Sequence, residues 1–246
     1  MPVKTQGVDA VKKALDILRA FSQEQPTLSL SEISKKTGYV KSTALRMLIS
    51  LEESGFITAN ADKTYSVGSE AFRIGSLYQK TFRLEAVIRP VMRDMVNGTG
   101  ESASFFRREG NQRICLFRED SAQALREHVA EGDVVALDRG AAGRVLLEFS
   151  DTNPLRPATP EMVARLPVIS LGERDPDIAG VAVPILSATS GLAGALTLSG
   201  PAFRMTPERI AAMAPIVIAG GSRISAALGS TFYEAWRQES AVGAIR

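Results

Sequence analysis

Val8, Val11, Leu15, Leu18 and Phe21 recur at steps of three and four residues, with Lys12, Lys13, Asp16 and Arg19 between them. That spacing predicts an amphipathic helix ending before Pro26. In the next stretch, LSLSEISKKTG, Ser29 or Ser31 is placed to cap a short helix, with Leu30 and Ile33 facing inward. Gly38 stops it as a C′ glycine. A second helix follows at once in GYVKSTALRML. Leu45, Leu48 and Leu51 make one stripe, and Ser42, Thr43, Arg46, Ser50 and Glu53 make the other. Ser34, four residues before Gly38, is small enough for the two helices to approach closely. Two short helices around a glycine turn are the organisation of a helix-turn-helix. Phe56-Ile57 and Tyr65-Ser66-Val67 are strand-like, and Asn60 to Lys63 between them is turn chemistry, so a hairpin follows as a wing.

From Ser69 the pattern is helical again. Phe72, Leu77, Tyr78 and Phe82 precede a second stripe, Leu84, Val87, Ile88, Val91 and Met95, in which Pro90 is expected to kink or interrupt the helix. Arg73, Lys80 and Arg83 read as a solvated face, with a phosphate-facing row as the alternative. From Glu101 the period changes. ESASFF, RICLF, VVAL, VISLG, IAGVAVPIL and LAGALTLS are short, apolar and bounded by Gly and Pro, which reads as strands. Helices are expected at Ala142 to Phe149 and at Thr206 to Leu228. In the second, Thr206 caps and Pro207 takes the first position, while Pro215 and Gly220-Gly221 weaken the interior. The fold class is α+β. The boundaries are 1–68 for a winged helix-turn-helix domain, 69–83 for a connecting helix, 84–229 for a second domain and 230–246 for a tail. Phe232, Tyr233 and Trp236 in that tail form one helical face against a partner subunit, or the tail frays.

The chemistry of the second short helix explains its opening residues. A helix N-terminus offers unpaired N–H groups and a positive dipole end, which suit phosphate. Lys41 adds charge, Ser42 and Thr43 donate to phosphate or base edges, and Arg46 one turn later reaches an edge such as guanine. Lys63 at the wing tip lies along the backbone. The candidate contacts with double-stranded DNA are therefore Ser31, Lys41, Ser42, Thr43, Arg46 and Lys63. The plain alternative is that Ser42 and Thr43 only cap the helix and Lys63 is a solvated turn residue.

In the second domain, DRGAAGR places Gly140 to Gly143 before a helix, where small residues admit a ligand and the helix start favours a carboxylate. Thr197 and Ser199 fall on one side of a strand and point two hydroxyls into one cavity. Asp177 in the preceding loop is placed to accept from a ligand hydroxyl. The alternatives are a simple turn for the glycines and backbone hydrogen bonds in a closed core for the hydroxyls.

Composition narrows the function. The 246 residues suit two ordinary domains, and a formal net charge of +2 leaves DNA binding to a local patch. Cys115 is the single cysteine and His128 the single histidine, so neither a disulfide framework nor a chelating His/Cys set exists. A lone cysteine, the absence of a signal-peptide pattern and the lack of an apolar run near the roughly 18 residues of a membrane helix point to the cytoplasm and away from membranes. Without a Walker loop, a dinucleotide fingerprint or a nucleophile–base pair, the expectations are no enzyme, no cofactor, no catalytic residue and no metal. His128 is expected at an exposed strand edge, and Cys115 buried and inert.

VKKALDILRAF, LSLSEISKKTGYVKSTALRMLISLEESGFI and TYSVG resemble the winged helix-turn-helix of IclR-type bacterial transcription regulators. LDRGAAGRVLLEFS, GERDPDIAGVAVPI and GALTLSGPAFRM resemble that family's effector-binding domain. The resemblance runs from about Val8 to Leu228. It implies a GAF-like second domain, an operator as DNA partner, a small organic acid as effector and a homodimer or homotetramer. The effector contacts it implies are Ser104, Gly140, Ala141, Asp177, Val183, Thr197 and Ser199. The stretch DTNPLRPATPEMVARLPVIS is shorter than its family counterpart and, with four prolines, reads as irregular chain beside the pocket. Two other functions compete: a carrier or enzyme whose winged helix is an interaction module, and an architectural DNA-binding protein whose second domain only oligomerises.

Overall fold

A computed structural model describes residues 7–22, 25–82 and 84–243, without the side chains of 78–82 and 239–243. The chain divides into two compact units, residues 1–83 and 84–246.

In the first unit, α1 spans Asp9–Leu18, β1 Thr27–Ser29, α2 Leu30–Thr37, α3 Lys41–Glu53, β2 Ile57–Ala59, β3 Thr64–Val67 and α4 Ser69–Phe82. The strands form an antiparallel sheet in the order β1-β3-β2. β1 has no counterpart in the sequence reading: three residues are too few to show a period. Ser29, rather than Ser31, caps α2, and it does so reciprocally. Its hydroxyl accepts from the Glu32 N–H at 3.3 Å, and Glu32 accepts from the Ser29 N–H at 2.8 Å. Gly38 ends α2 in the left-handed conformation, φ 73°, with its N–H on the Ser34 carbonyl at 3.0 Å. The Ser34 hydroxyl donates to the Tyr39 carbonyl at 2.6 Å, and the Tyr39 hydroxyl donates to Asp16 at 2.6 Å. The turn between the helices is thereby tied to α1.

The inward faces differ from the expected stripes. The core of this unit is Ile17, Leu28, Ile33, Ala44, Leu48, Leu51 and Ile57. On α1 the buried residue is Ile17, whereas Val8, Val11 and Leu15 are 48–68 % exposed. On α3 Ala44 replaces Leu45 in the buried row, and Leu45 lies outward. A helix of 3.6 residues per turn offers two adjacent apolar rows here, and packing rather than spacing selects between them. On α4, Arg73 is held by Glu70 at 2.6 Å, as a solvated face requires. Lys80 and Arg83 lie outside the described side chains.

The second unit runs α5 Leu84–Thr99, β4 Ser102–Glu109, β5 Gln112–Glu119, β6 Val134–Ala136, α6 Gly140–Glu148, α7 Pro160–Ala164, β7 Val168–Leu171, β8 Ile178–Ser187, β9 Gly191–Pro201, α8 Pro207–Ala227 and α9 Glu234–Gly243. Its six strands form one antiparallel sheet in the order β6-β5-β4-β9-β8-β7. Helices α5 and α8 pack together and cover one face, and α6 packs on the other. Pro90 does not break α5, which continues from Leu84 to Thr99 around it. Pro90 itself is exposed, so its missing donor faces water.

α8 runs unbroken through Gly220 and Gly221, which set how closely it approaches. A Cβ on Gly220 would stand 2.7 Å from the Met95 sulfur, and one on Gly221 2.7 Å from Val183 Cγ2 and 3.1 Å from the Tyr233 hydroxyl. At 21 residues α8 is long and apolar enough to cross a membrane, contrary to the expectation that no such run exists, but half of that window is buried within the unit. The tail is likewise corrected. Phe232 and Tyr233 are core residues of their own unit, edge-on to one another at 4.8 Å, and the Tyr233 hydroxyl donates to the Pro184 carbonyl at 2.8 Å.

The close approach at Gly221 predicts that Gly221→Ala lowers stability by about 1–3 kcal/mol through overpacking. Gly75→Ala, on α4 with open space around it, is predicted to be neutral or stabilising by up to about 1 kcal/mol. Denaturant unfolding of both variants reads the difference; equal effects would remove the close-packing role of Gly221.

Candidate functional site

In the first unit, α3 begins at Lys41 with Val40 as N-cap, and no side chain closes its first turn. Ser31, Lys41, Ser42 and Arg46 are exposed and Thr43 is half-buried. Among the described residues neither Lys41 nor Arg46 enters an ion pair, whereas Arg19 and Arg73 of the same unit do. Leu48 and Leu51 anchor the inner side of α3, so its outer side presents cationic and hydroxyl groups. Glu52 and Glu53 stand at the opposite end. In the wing, Asp62 accepts from the Thr64 N–H at 3.1 Å and hydroxyl at 2.6 Å, and the Asn60 N–H closes onto the Thr64 carbonyl at 2.8 Å. This turn holds Lys63 exposed at φ 65°, a conformation that non-glycine residues rarely adopt.

In the second unit, a small cleft with about 50 Å³ of free volume lies between α6 and the sheet. Gly140, Ala141, Thr197 and Ser199 all line it, as do Phe106, Arg113, Glu127, Ser170 and Arg174. Ser104 sits beside them, buried. Its hydroxyl accepts from Arg118 Nη1 at 2.7 Å and its carbonyl accepts from Thr197 Oγ1 at 3.3 Å. Two expected residues are not at the cleft. Val183 pairs with Leu196, one position off the Ala182–Thr197 pair, so its side chain points to the opposite face, under Gly221 of α8. Asp177 is exposed; its carbonyl accepts from the Ala202 N–H at 2.7 Å, and it does not line the cavity. Of the proline-rich stretch 151–170 only its last residue, Ser170 on β7, lines the cleft, and the stretch is not wholly irregular, since it contains the short helix α7 and most of β7.

The charged residues of the cleft escaped the sequence reading. On β5, Arg113 and Arg118 are five apart, which strict alternation would put on opposite faces. A register shift opposite Phe105/Phe106 pairs Ser104 with Arg118, Phe106 with Cys115 and Arg108 with Arg113. That brings both arginines to the cleft side. Two arginines embedded in RICLF-type sequence were the available signal.

Glu127, from the loop after β5, is almost fully buried. Its carboxylate accepts from the Ser199 hydroxyl and pairs with Arg174, with Arg118 Nη1 at 3.5 Å. Arg118 also donates to the Glu127 carbonyl at 2.9 Å and to Asp120 at 3.0 Å. At the head of α6, the Gly140 N–H donates to Glu173 at 3.2 Å. Burial, then the nearby Arg174, pushes the Arg113 guanidinium down to about 10. Since 10 is above neutral pH, Arg113 remains charged there, and the folded state bears that cost until the pH rises through 10.

His128 is exposed, but in a loop rather than at a strand edge. Among the described residues there is no metal-binding cluster of His, Cys and carboxylates. Cys115 is buried, and burial pushes its thiol up to about 12. Alkylation with iodoacetamide at about pH 8 is therefore predicted to leave the native chain unmodified and to label it fully once unfolded; native labelling at the rate of a free thiol would contradict the burial.

With this geometry in place, known proteins give a consistent match. The IclR helix-turn-helix domain family matches residues 10–61, the segment from α1 to the wing. The HTH-type transcriptional regulator BhcR of Paracoccus denitrificans is 27% identical over 243 residues, covering 89% of this chain and 87% of that protein. The crystal structure of a putative IclR regulator from Silicibacter sp. TM1040 superposes with a TM-score of 0.75 at 24% identity, over 91% of this chain and 97% of that one. An IclR homologue from Microbacterium hydrocarbonoxydans, complexed with 4-hydroxybenzoate, shares the fold at a TM-score of 0.74 and 18% identity, over 89% and 99% of the two chains.

Proposed function

We propose that this chain, whose residues 10–61 match the IclR helix-turn-helix family and whose full length resembles IclR-type regulators, is such a regulator, that it grips operator DNA with α3 and the wing, and that it alters that grip when a small organic acid enters the cleft. The observation that carries the DNA half is the outer face of α3. An open helix N-terminus stands beside Lys41 and Ser42, with Arg46, in no ion pair among the described residues, one turn on. Lys41, Ser42, Thr43 and Lys63 hold phosphates, and Ser31 adds a contact from α2. Arg46 reads a base edge. One winged helix makes few contacts, so two subunits, or two pairs of them, bind a repeated or palindromic site. The protein works in the cytoplasm, where the operator is.

The cleft supports the sensing half. Gly140 and Ala141 at the head of α6, with the hydroxyls of Thr197 and Ser199 opposite, offer donors to a carboxylate. The acid bound by the Microbacterium protein, 4-hydroxybenzoate, is the first compound to try. An effector shifts DNA binding only as far as it favours one arrangement of the protein over another. The segment 69–83, helix α4 in its described part, is the covalent path for that difference.

The test is a titration of the full chain against a duplex from upstream of its own gene and a random duplex, across salt concentrations. Specific binding that weakens steeply with salt is expected. Arg46→Ala is expected to cost about 1–3 kcal/mol on the specific duplex and to relax base preference; equal loss on both duplexes would remove Arg46 from base readout. Lys41→Ala is expected to weaken both alike and to reduce the salt slope by about one; an unchanged slope would take Lys41 off the phosphates.

A further inference from the structure

The cations at the cleft fall into two groups. Arg118 and Arg174 are compensated from within: both meet the Glu127 carboxylate, and Arg118 adds Asp120. Arg113 has no such partner: it is 3 % exposed and, among the described residues, belongs to no ion pair, and the longer-range attraction of Glu127 and Asp138 is outweighed by its burial and by Arg174. Nη1 donates to the Arg139 carbonyl at 2.6 Å, the guanidinium lies 5.2 Å from the Phe106 ring centroid, and Nε has no acceptor.

Its surroundings raise the cost. The guanidinium stands at the N-terminal end of α6. A Cβ on Gly140 would be 3.6 Å from Nη2, and one on Gly143 would be 2.4 Å from Nη1. That helix end carries partial positive charge, and Arg174 lines the same cleft. A buried cation beside like charge is expensive unless an anion compensates it. Gly143 leaves room for the guanidinium where any side chain would press on it, while a Cβ on Gly140 would only touch it.

We propose that Arg113 is the charge partner of the cleft's ligand, and that the ligand is a small organic monoacid whose carboxylate binds between this guanidinium and the first turn of α6. The proposal rests on the sensor reading above and narrows it. One uncompensated positive charge calls for one negative charge. A second acid group would meet the carboxylate of Glu127 in the same cleft, and a ligand hydroxyl would find it an acceptor. At the helix head the incoming acid replaces Glu173 on the Gly140 N–H.

The experiment follows the thermal unfolding of the full chain with sodium acetate, benzoate, 4-hydroxybenzoate and succinate, each against its neutral amide at matched ionic strength. The proteins are wild type, Arg113→Gln, Arg113→Lys and Arg113→Met. At least one monoacid is expected to raise the wild-type midpoint while its amide does not, with succinate weaker than the monoacids. Arg113→Gln is expected to lose about tenfold or more in acid affinity, and Arg113→Lys to recover part of it. Without ligand, Arg113→Met is expected to melt above wild type, because the uncompensated charge is gone.

An acid shift retained in Arg113→Gln would overturn the assignment while leaving the sensor reading standing. An amide as effective as its acid would overturn the charge argument. Ligand-free Arg113→Met and Arg113→Gln both melting well below wild type would make the guanidinium a structural brace. If no acid shifts wild type at all, the inference and the sensor reading fall together, and the DNA titration is untouched.

Discussion

Side chains alternate along a strand, so a sheet must meet two environments at once. The second unit is organised by that constraint. One face carries Phe105, Val181, Val183, Leu196 and Leu198 against α5 and α8, and the other carries Ser104, Thr197 and Ser199 toward α6. The apolar face closes tightly because Gly220 and Gly221 let α8 come near. The polar face cannot close the same way. Hydroxyls and guanidinium groups need partners, and satisfying them keeps a cleft between α6 and the strands. A single irregularity, the register shift opposite Phe105 and Phe106, carries Arg113 and Arg118 to the same side and turns a mildly polar face into a cationic one.

Buried charge is handled in two different ways in this unit. Glu101, 1 % exposed, is gripped by Arg204 through two hydrogen bonds of 2.8 Å, and a Cβ on Gly200 would stand 2.1 Å from its carboxylate. That is a finished pair, with an arginine fork on a carboxylate. Arg118 and Arg174 with Glu127 form a second, shared arrangement. Arg113 stands outside both. The first unit does the opposite with two of its cations. Lys41 and Arg46 stay in water, where a charge costs little and remains available to a polyanion.

Most of the fold was legible in the sequence because it rests on periods. All six strands of the second unit, the two helices about Gly38 and the hairpin of the wing show in the spacing of apolar residues and in Gly, Asn and Asp at turns. The cap by Thr206 and Pro207 was equally local. What failed was the choice between neighbouring rows, as with Ala44 against Leu45, and of which packing partner a residue meets, as with Phe232 and Tyr233. Those depend on tertiary contacts that no local window contains. The cleft was half legible. Gly140, Ala141, Thr197 and Ser199 announce themselves by size, hydroxyl chemistry and alternation, but Val183 was carried to the wrong face, and Arg113 and Glu127 are united only by a bulge and a loop.

The pairing of β4 with β9 joins residues about ninety positions apart, Ser104 with Thr197 among them, and Phe232 and Tyr233 complete the core still later in the chain. On a ribosome, the first unit has all its partners by the time residue 82 is clear. The second has an unpaired edge on β4 until β9 appears, and an open core until Tyr233 is released. Long-range strand pairing pays its loop-closure entropy before it gains contacts. A nascent chain therefore carries a complete helix-turn-helix unit while its second unit is still an exposed hairpin, and a pause in synthesis between β5 and β9 leaves that hairpin as the species open to misassembly.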